Sequence, residues 1–264
     1  MNNLIMSSLF YTLISIPLAI YFSYYLSIKV NLIDKPNIRK NHKGEIPLVG
    51  GISIISSLLL FIFIFEQPYY INIIILSSLL ILFIGVYDDL NQSSITLRIL
   101  IQLIASIIII LFGLHVVSLG EYYYFGDIKT SYLGIILTII FVLGLTNSVN
   151  LIDGIDGLAA GIVLIGLLSL FLFSYLKNPI LDIDLFIFLI CSLVIFIIFN
   201  LGFIKNKKIF LGDSGSTTLG FILGWLLVYY AHSSNNNLDP SLSIWCVTVP
   251  VFDLLSLLII RTNN

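Results

Sequence analysis

Residues 71–89 read INIIILSSLLILFIGVYDD, an apolar run that closes on two adjacent carboxylates, Asp88 and Asp89. As a helix rising 1.5 Å per residue, such a run is about 28 Å long, close to the ~30 Å hydrocarbon core of a bilayer. It predicts a membrane-crossing helix whose acidic pair sits where the helix leaves the lipid. Neighbouring carboxylates repel each other, and a helix C-terminus is already negative. The pair therefore marks either a solvated helix end or a site for a divalent metal or a proton in transit, and two adjacent acids favour the second reading.

Comparable runs recur in both directions. They predict an all-α, polytopic transmembrane bundle of about nine spans, at 4–28, 47–65, 69–87, 97–116, 131–149, 156–176, 183–202, 215–232 and 241–260. The 264 residues are 59% hydrophobic and 10% charged, with a mean hydropathy of +1.10, whereas a soluble domain carries roughly 25% charged residues. No separate soluble domain fits between the spans, so residues 1–264 are expected to form a single transmembrane unit. The run at 4–28 lacks a basic flank before it and a small-residue cleavage site after it, and reads as a retained helix. Cys191 and Cys246 lie in apolar runs and predict packed thiols.

Orientation follows from the short loops. Lys29, Lys35, Arg39, Lys40, Lys43, Arg98, Lys205, Lys207, Lys208 and Arg261 fall on one side, and only Lys129 and Lys177 on the other. The first side is then cytosolic, with the N-terminus outside and the C-terminus inside. Asp34, Glu45, Asp88, Asp89, Asp153, Asp156, Asp213 and Asp253 fall on or toward that same face.

Three further stretches depart from apolar filling. Residues 147–158, NSVNLIDGIDGL, place Asp153 and Asp156 at i and i+3 in a glycine-punctuated turn. Helix capping needs one such residue, and two Asn with two Asp suit hydrogen bonds to a base or sugar. Residues 210–218, FLGDSGSTT, form a Gly/Ser turn opening a helix, whose free backbone N–H groups suit phosphate, while Asp213 offers an oxygen ligand for Mg2+. The Gly-Asp-Ser-Gly string also resembles a serine-protease nucleophile loop, but no suitable His lies nearby. The first loop ends Gly50-Gly51, which implies close approach by a ligand or a neighbouring helix. Together these elements suit a diphosphate-linked soluble donor meeting a lipid phosphate acceptor at the membrane boundary.

The strings DKPNIRKNHKGEIPLVGGI (34–52), GVYDDLNQSSITLRILIQ (85–102), NSVNLIDGIDGLAAG (147–161), FLGDSGSTTLGF (210–221) and PVFDLL (250–255), in this order, resemble the polyprenyl-phosphate N-acetylhexosamine-1-phosphate transferases, glycosyltransferase family 4. The chain looks closest to the branch that makes undecaprenyl-diphospho-GlcNAc, rather than the branch that uses UDP-MurNAc-pentapeptide. The resemblance implies Mg2+-dependent transfer of GlcNAc-1-phosphate from UDP-GlcNAc to undecaprenyl phosphate, with release of UMP. This step initiates a cell-surface glycan at the cytosolic face of the bacterial inner membrane. Mn2+ is the alternative metal, another UDP-N-acetylhexosamine the alternative donor, and a homodimer is compatible; no nucleic-acid partner is expected.

Carried over by motif, Asp213 corresponds to the metal ligand, Asp88 and Asp89 to metal binding or activation of the lipid phosphate, and Asn150, Asp153 and Asp156 to the donor side. His42, Lys43, Arg98, Ser214 and Gly215 complete the expected substrate contacts, and direct attack by the acceptor phosphate is the expected route. Beyond its ninth helix the family continues into a cytosolic loop with a His-x-His-His motif and further helices, while this chain ends at Arg261-Thr262-Asn263-Asn264. The resemblance thus implies little transferase activity for this length alone. An ion-coupled carrier would place charges at mid-membrane and show matched halves, and neither is found.

Overall fold

The computed structural model describes residues 2–35, 44–124, 126–177, 182–205, 207–232 and 240–262. In chain order the elements are α1 (Asn2–Val30), β1 (Ile33–Asp34), β2 (Ile46–Pro47), α2 (Gly50–Ile64), α3 (Tyr69–Asn91), α4 (Ile95–Leu111), β3 (Ser118–Tyr122), β4 (Gly126–Lys129), α5 (Leu133–Ile152), α6 (Leu158–Lys177), α7 (Ile183–Asn200), α8 (Gly212–Ala231), α9 (Pro240–Cys246) and α10 (Thr248–Thr262). Helices α1, α3, α5, α6 and α7 are long and apolar enough to cross a membrane, and α2 and α4 are shorter apolar helices.

The first eight expected spans each appear as one helix. The count of nine is corrected: the described residues hold ten, because the span expected at 241–260 is broken at Val247 into α9 and α10. Pro250 accounts for the break. Lacking an N–H, proline is best accommodated in the first turn of a helix, and here the chain restarts at Thr248 with Pro250 at its third position; Pro17, by contrast, is carried inside the long α1. Two small antiparallel ladders were also not expected: β1 with β2, pairing Ile33 with Pro47 and Asp34 with Ile46, and β3 with β4, pairing Ser118 with Lys129.

Helix α8 is the axis of the bundle. It is buried from Ser214 to Tyr230, with α3 and α5 on its flanks and α2, α6 and α9 around it. Its first half, GDSGSTTLG, is small and polar, which suits a helix surrounded by protein rather than lipid. The largest fully buried side chains include Trp225, Tyr230, Phe61, Phe186, Phe188 and Phe196. Outward positions are equally apolar, as at Phe63 (80% exposed) and Leu111 (79% exposed), the pattern of a surface that meets hydrocarbon. In lipid, apolar contact alone does not hold helices together, so hydrogen bonds and close backbone approach matter more. Helix α1 joins α2 in that way: the Tyr11 hydroxyl donates to the Ser57 carbonyl at 2.9 Å, and the Ser23 and Ser53 hydroxyls lie 2.7 Å apart.

Candidate active site

The opening of α8 is fixed first. Gly212 has φ +76°, a conformation that glycine adopts without strain, and a Cβ there would stand 2.7 Å from Asp89 Oδ2. Asp89, at the end of α3, accepts from the backbone N–H of Asp213 at 2.8 Å through Oδ1 and from that of Ser214 at 3.1 Å through Oδ2. A carboxylate on these N–H groups is a favourable cap for the positive end of a helix. The donors expected to cradle a phosphate are therefore already engaged within the protein. Ser214 and Gly215 are buried in helix packing: a Cβ on Gly85 would meet Ser214 Cα at 2.3 Å, and one on Gly51 would meet Gly215 Cα at 2.2 Å. Gly51 thus admits α8, while Gly50, where a Cβ would stand 2.3 Å from the Phe196 ring, admits α7. The strand-like segment before α8 is bound to the same place, with Phe210 N–H donating to Pro47 O (2.9 Å), Gly50 N–H to Phe210 O (2.9 Å) and Gly51 N–H to Leu211 O (3.2 Å).

With α8 so placed, Asp213 faces Asp88, and their carboxyl groups lie within hydrogen-bonding reach of each other. Asp88 Oδ1 accepts from the Ser93 N–H at 2.5 Å and hydroxyl at 2.7 Å, and Oδ2 accepts from Arg98 Nη1 at 2.8 Å. The same Arg98 nitrogen is 4.0 Å from Asp213 Oδ2. From α5, Asn150 Nδ2 donates to Asp213 Oδ1 at 2.7 Å and to Ser216 Oγ at 2.9 Å. The Asp88 side chain is 7% exposed and that of Asp213 42% exposed, so Asp213 presents the accessible carboxylate.

Asp153 follows α5 directly and is half-buried. Burial, and then the negative charges of Asp213, Asp89 and Asp156, push its carboxyl up to about 7. Between the ordinary value of 3.8 and about 7 the folded protein keeps a proton that the unfolded chain has lost, so this group's contribution to stability declines as pH rises through that window. In metal-free buffer, Asp153→Asn is expected to flatten the fall in melting temperature between pH 4 and 7 relative to the native protein; parallel curves would refute the assignment. Asp156 is exposed and pairs with Lys208 Nζ at 2.5 Å, which ties the 153–157 turn to the segment before α8. Lys207 turns away, its ammonium 4.4 Å from the ring centroid of Tyr24 and 4.9 Å from that of Tyr25 on α1.

Asp88, Asp89, Arg98, Asn150, Asp153, Asp213, Ser214 and Gly215 thus meet at one end of the bundle, with Asp156 at its rim. His42 and Lys43 lie outside the described residues. Ser93 and Ser216 belong to the site but were not among the expected site residues, although Ser216 lies within the 210–218 turn. For Ser93 a signal exists, because Asn-Gln-Ser-Ser after an acidic helix end favours a turn that folds a hydroxyl back onto the acid. From Ser148, whose hydroxyl donates to Pro250 O at 2.5 Å, an apolar cavity of about 330 Å3 extends away from the site toward the other end of α5 and α8, with Leu137, Leu145, Val228, Val251 and Leu254 in its wall.

Residues 71–231, more than half of the chain, match the model of glycosyl transferase family 4. The chain belongs to that family. An undecaprenyl-phosphate alpha-N-acetylglucosaminyl 1-phosphate transferase of Yersinia pestis is 29% identical over 269 residues, covering 100% of this chain and 73% of the relative. Its namesake in Escherichia coli K12 is 30% identical over 253 residues (94% of this chain, 68% of the relative). A probable undecaprenyl-phosphate N-acetylglucosaminyl 1-phosphate transferase of Bacillus subtilis is 29% identical over 242 residues (90% and 66%). As a member of glycosyl transferase family 4, the chain is a membrane-embedded phosphoglycosyl transferase. Among the described residues of this transferase, no three acids, histidines or cysteines converge as a ready metal cage. A single accessible carboxylate beside a buried one nevertheless fits Mg2+, which binds through one or two carboxylates and takes its remaining oxygens from phosphates and water.

Proposed function

We propose that this chain transfers GlcNAc-1-phosphate from UDP-GlcNAc to undecaprenyl phosphate, releasing UMP, at the cytosolic face of a bacterial inner membrane. The observation that carries the reading is the meeting of Asp213, Asp88, Arg98 and Asn150 at one end of the bundle. The names of the relatives supply the sugar and the lipid. The excess of Lys and Arg in the loops at that end supplies the orientation, with the N-terminus outside.

Asp213, with Asp88 behind it, would hold Mg2+, which when bound neutralises diphosphate charge as the phosphoryl group moves. Asn150 orients Asp213 through Oδ1, and Arg98, hydrogen-bonded to Asp88, places its charge 4.0 Å from the other Asp213 oxygen. Asp153 and Asp156 stand on the donor side, in the turn after α5. An oxygen of the acceptor phosphate attacks the sugar-bearing phosphorus; the bond to that oxygen forms, the diphosphate P–O bond breaks, and UMP leaves with the electron pair. Asp89 contributes by holding the first turn of α8, and through it Asp213, in place.

The test is UMP release by membranes containing the chain and undecaprenyl phosphate, with UDP-GlcNAc or UDP-GalNAc, with and without Mg2+. Binding of each donor is measured in parallel, so that slow turnover is told apart from failure to bind. Release is expected to require Mg2+ and to favour UDP-GlcNAc; equal use of both sugars removes the donor assignment, and release in the presence of a chelator removes the metal.

A further inference from the structure

One helical turn deeper than Arg98 on α4 lies Gln102, and one turn deeper than Asn150 on α5 lies Asn147. Asn147 Nδ2 donates to Gln102 Oε1 at 2.8 Å and, with its second hydrogen, to Leu143 O at 2.7 Å; Gln102 Nε2 returns toward Asn147 Oδ1 at 3.4 Å. Both hydrogens of Nδ2 meet oxygens that can only accept, which fixes the orientation of that amide. Gln102 is 1% exposed, and the other buried residues of α4 are small or apolar, namely Ala105, Ser106 and Ile109. Asn147 is half-buried; where lipid surrounds both helices, apolar surface gives no preference for one α4–α5 spacing over another, and a hydrogen-bonded amide pair shielded from water on one side does.

Arg98 and Asn150 reach the two oxygens of the same carboxylate, Asp213, from those two helices. We propose that Gln102 and Asn147 are positioning residues, an amide clamp that sets the α4–α5 spacing and so holds Asn150 on Asp213 and Arg98 beside it. The inference rests on the transferase reading for its activity readout. It assigns Asn147, which the motif alone suggests for base or sugar binding, to the support beneath the site.

Gln102→Met and Asn147→Leu are each expected to lower kcat about tenfold, the scale of a small displacement at a reacting centre. KM for UDP-GlcNAc should move little, and the loss of kcat should persist at temperatures where both variants are fully folded, whatever the unpaired amide takes from the melting temperature. The double variant should be no worse than either single one, since two partners in one bond are not additive. The exchanged pair, Gln102→Asn with Asn147→Gln, keeps the summed side-chain length and should recover most of the turnover. Loss confined to the Asn147 variants, or a raised KM in them alone, overturns the clamp in favour of donor contact; loss in proportion to the unfolded fraction overturns it in favour of bulk stability.

A second measurement needs no substrate. In a background without Cys191 and Cys246, spin labels at Leu97→Cys and Leu151→Cys should give a distance distribution that broadens when Gln102→Met is added. An unchanged width overturns the clamp. If the native chain transfers nothing, the functional reading fails while the spin-label result still decides the clamp.

Discussion

Asp213→Asn is expected to lower UMP release about a hundredfold or more, the scale on which removal of a preorganised charge contact acts, while the fold is retained. The substitution keeps an oxygen to accept from Asn150 Nδ2 and leaves the backbone N–H of Asp213 on Asp89. What it removes is the charge on the accessible carboxylate. Asp89→Asn should reach a comparable loss by a different route: an amide offers one acceptor where the carboxylate offers two, so one N–H at the start of α8 is left facing an NH2 group. Loss of a cap costs about 0.5–2 kcal/mol, and a buried unpaired donor about 1–3 kcal/mol. Activity and melting temperature, measured together, separate the two: Asp213→Asn should melt as the native protein does, and Asp89→Asn several degrees lower. Native-like melting of Asp89→Asn would remove the capping role, and full activity of Asp213→Asn would remove the metal role.

Gly85→Ala and Gly51→Ala are expected to damage the site from outside it. The added Cβ atoms would stand 2.3 Å from Ser214 Cα and 2.2 Å from Gly215 Cα, backbone atoms that cannot rotate away. Either α8 moves or the flanking helix does. Overpacking of this kind costs about 1–3 kcal/mol or more, and any movement also pulls the first turn of α8 off Asp89. Both variants should therefore melt lower and lose transfer together. Gly161→Ala in α6, where no atom lies within 4 Å of the added Cβ, is the control expected to match the native protein. A silent Gly85→Ala would show that α8 is held less tightly than its contacts imply.

These cases show what the chain discloses by itself. Apolar runs and their polar ends locate eight helices, because a bilayer imposes one length and one composition on each span. The break at Val247 escaped that reading, since the run from 241 to 260 stays apolar while Pro250 acts through backbone geometry. Site residues were visible where polar groups interrupt apolar filling, as at Asp88, Asn150 and Asp213. Their division of labour was not. Asp88 and Asp89 are neighbours in sequence, yet one takes Arg98 and Ser93 while the other caps a helix 124 residues away. Nothing local distinguishes them, because the choice is made by which face of α3 meets α8. Gln102 is similarly hidden, a single amide in an apolar helix whose meaning appears only with its partner on α5.

The burial of α8 on every side bears on how the enzyme moves through a reaction cycle. A helix sewn by its backbone to residues 47–51 and capped by Asp89 is a fixed post. Room for a nucleotide to enter, and for a product to depart, must come from parts held less firmly than that post: the Asp-Gly turn at 153–157, tied to it through the exposed Asp156–Lys208 ion pair, and the separately seated α10 beyond Val247. Substrate exchange and chemistry are thereby assigned to different pieces of the chain, so a variant that slows product release without touching the chemical step is to be sought at Gly154, Gly157 or Val247 rather than among the aspartates.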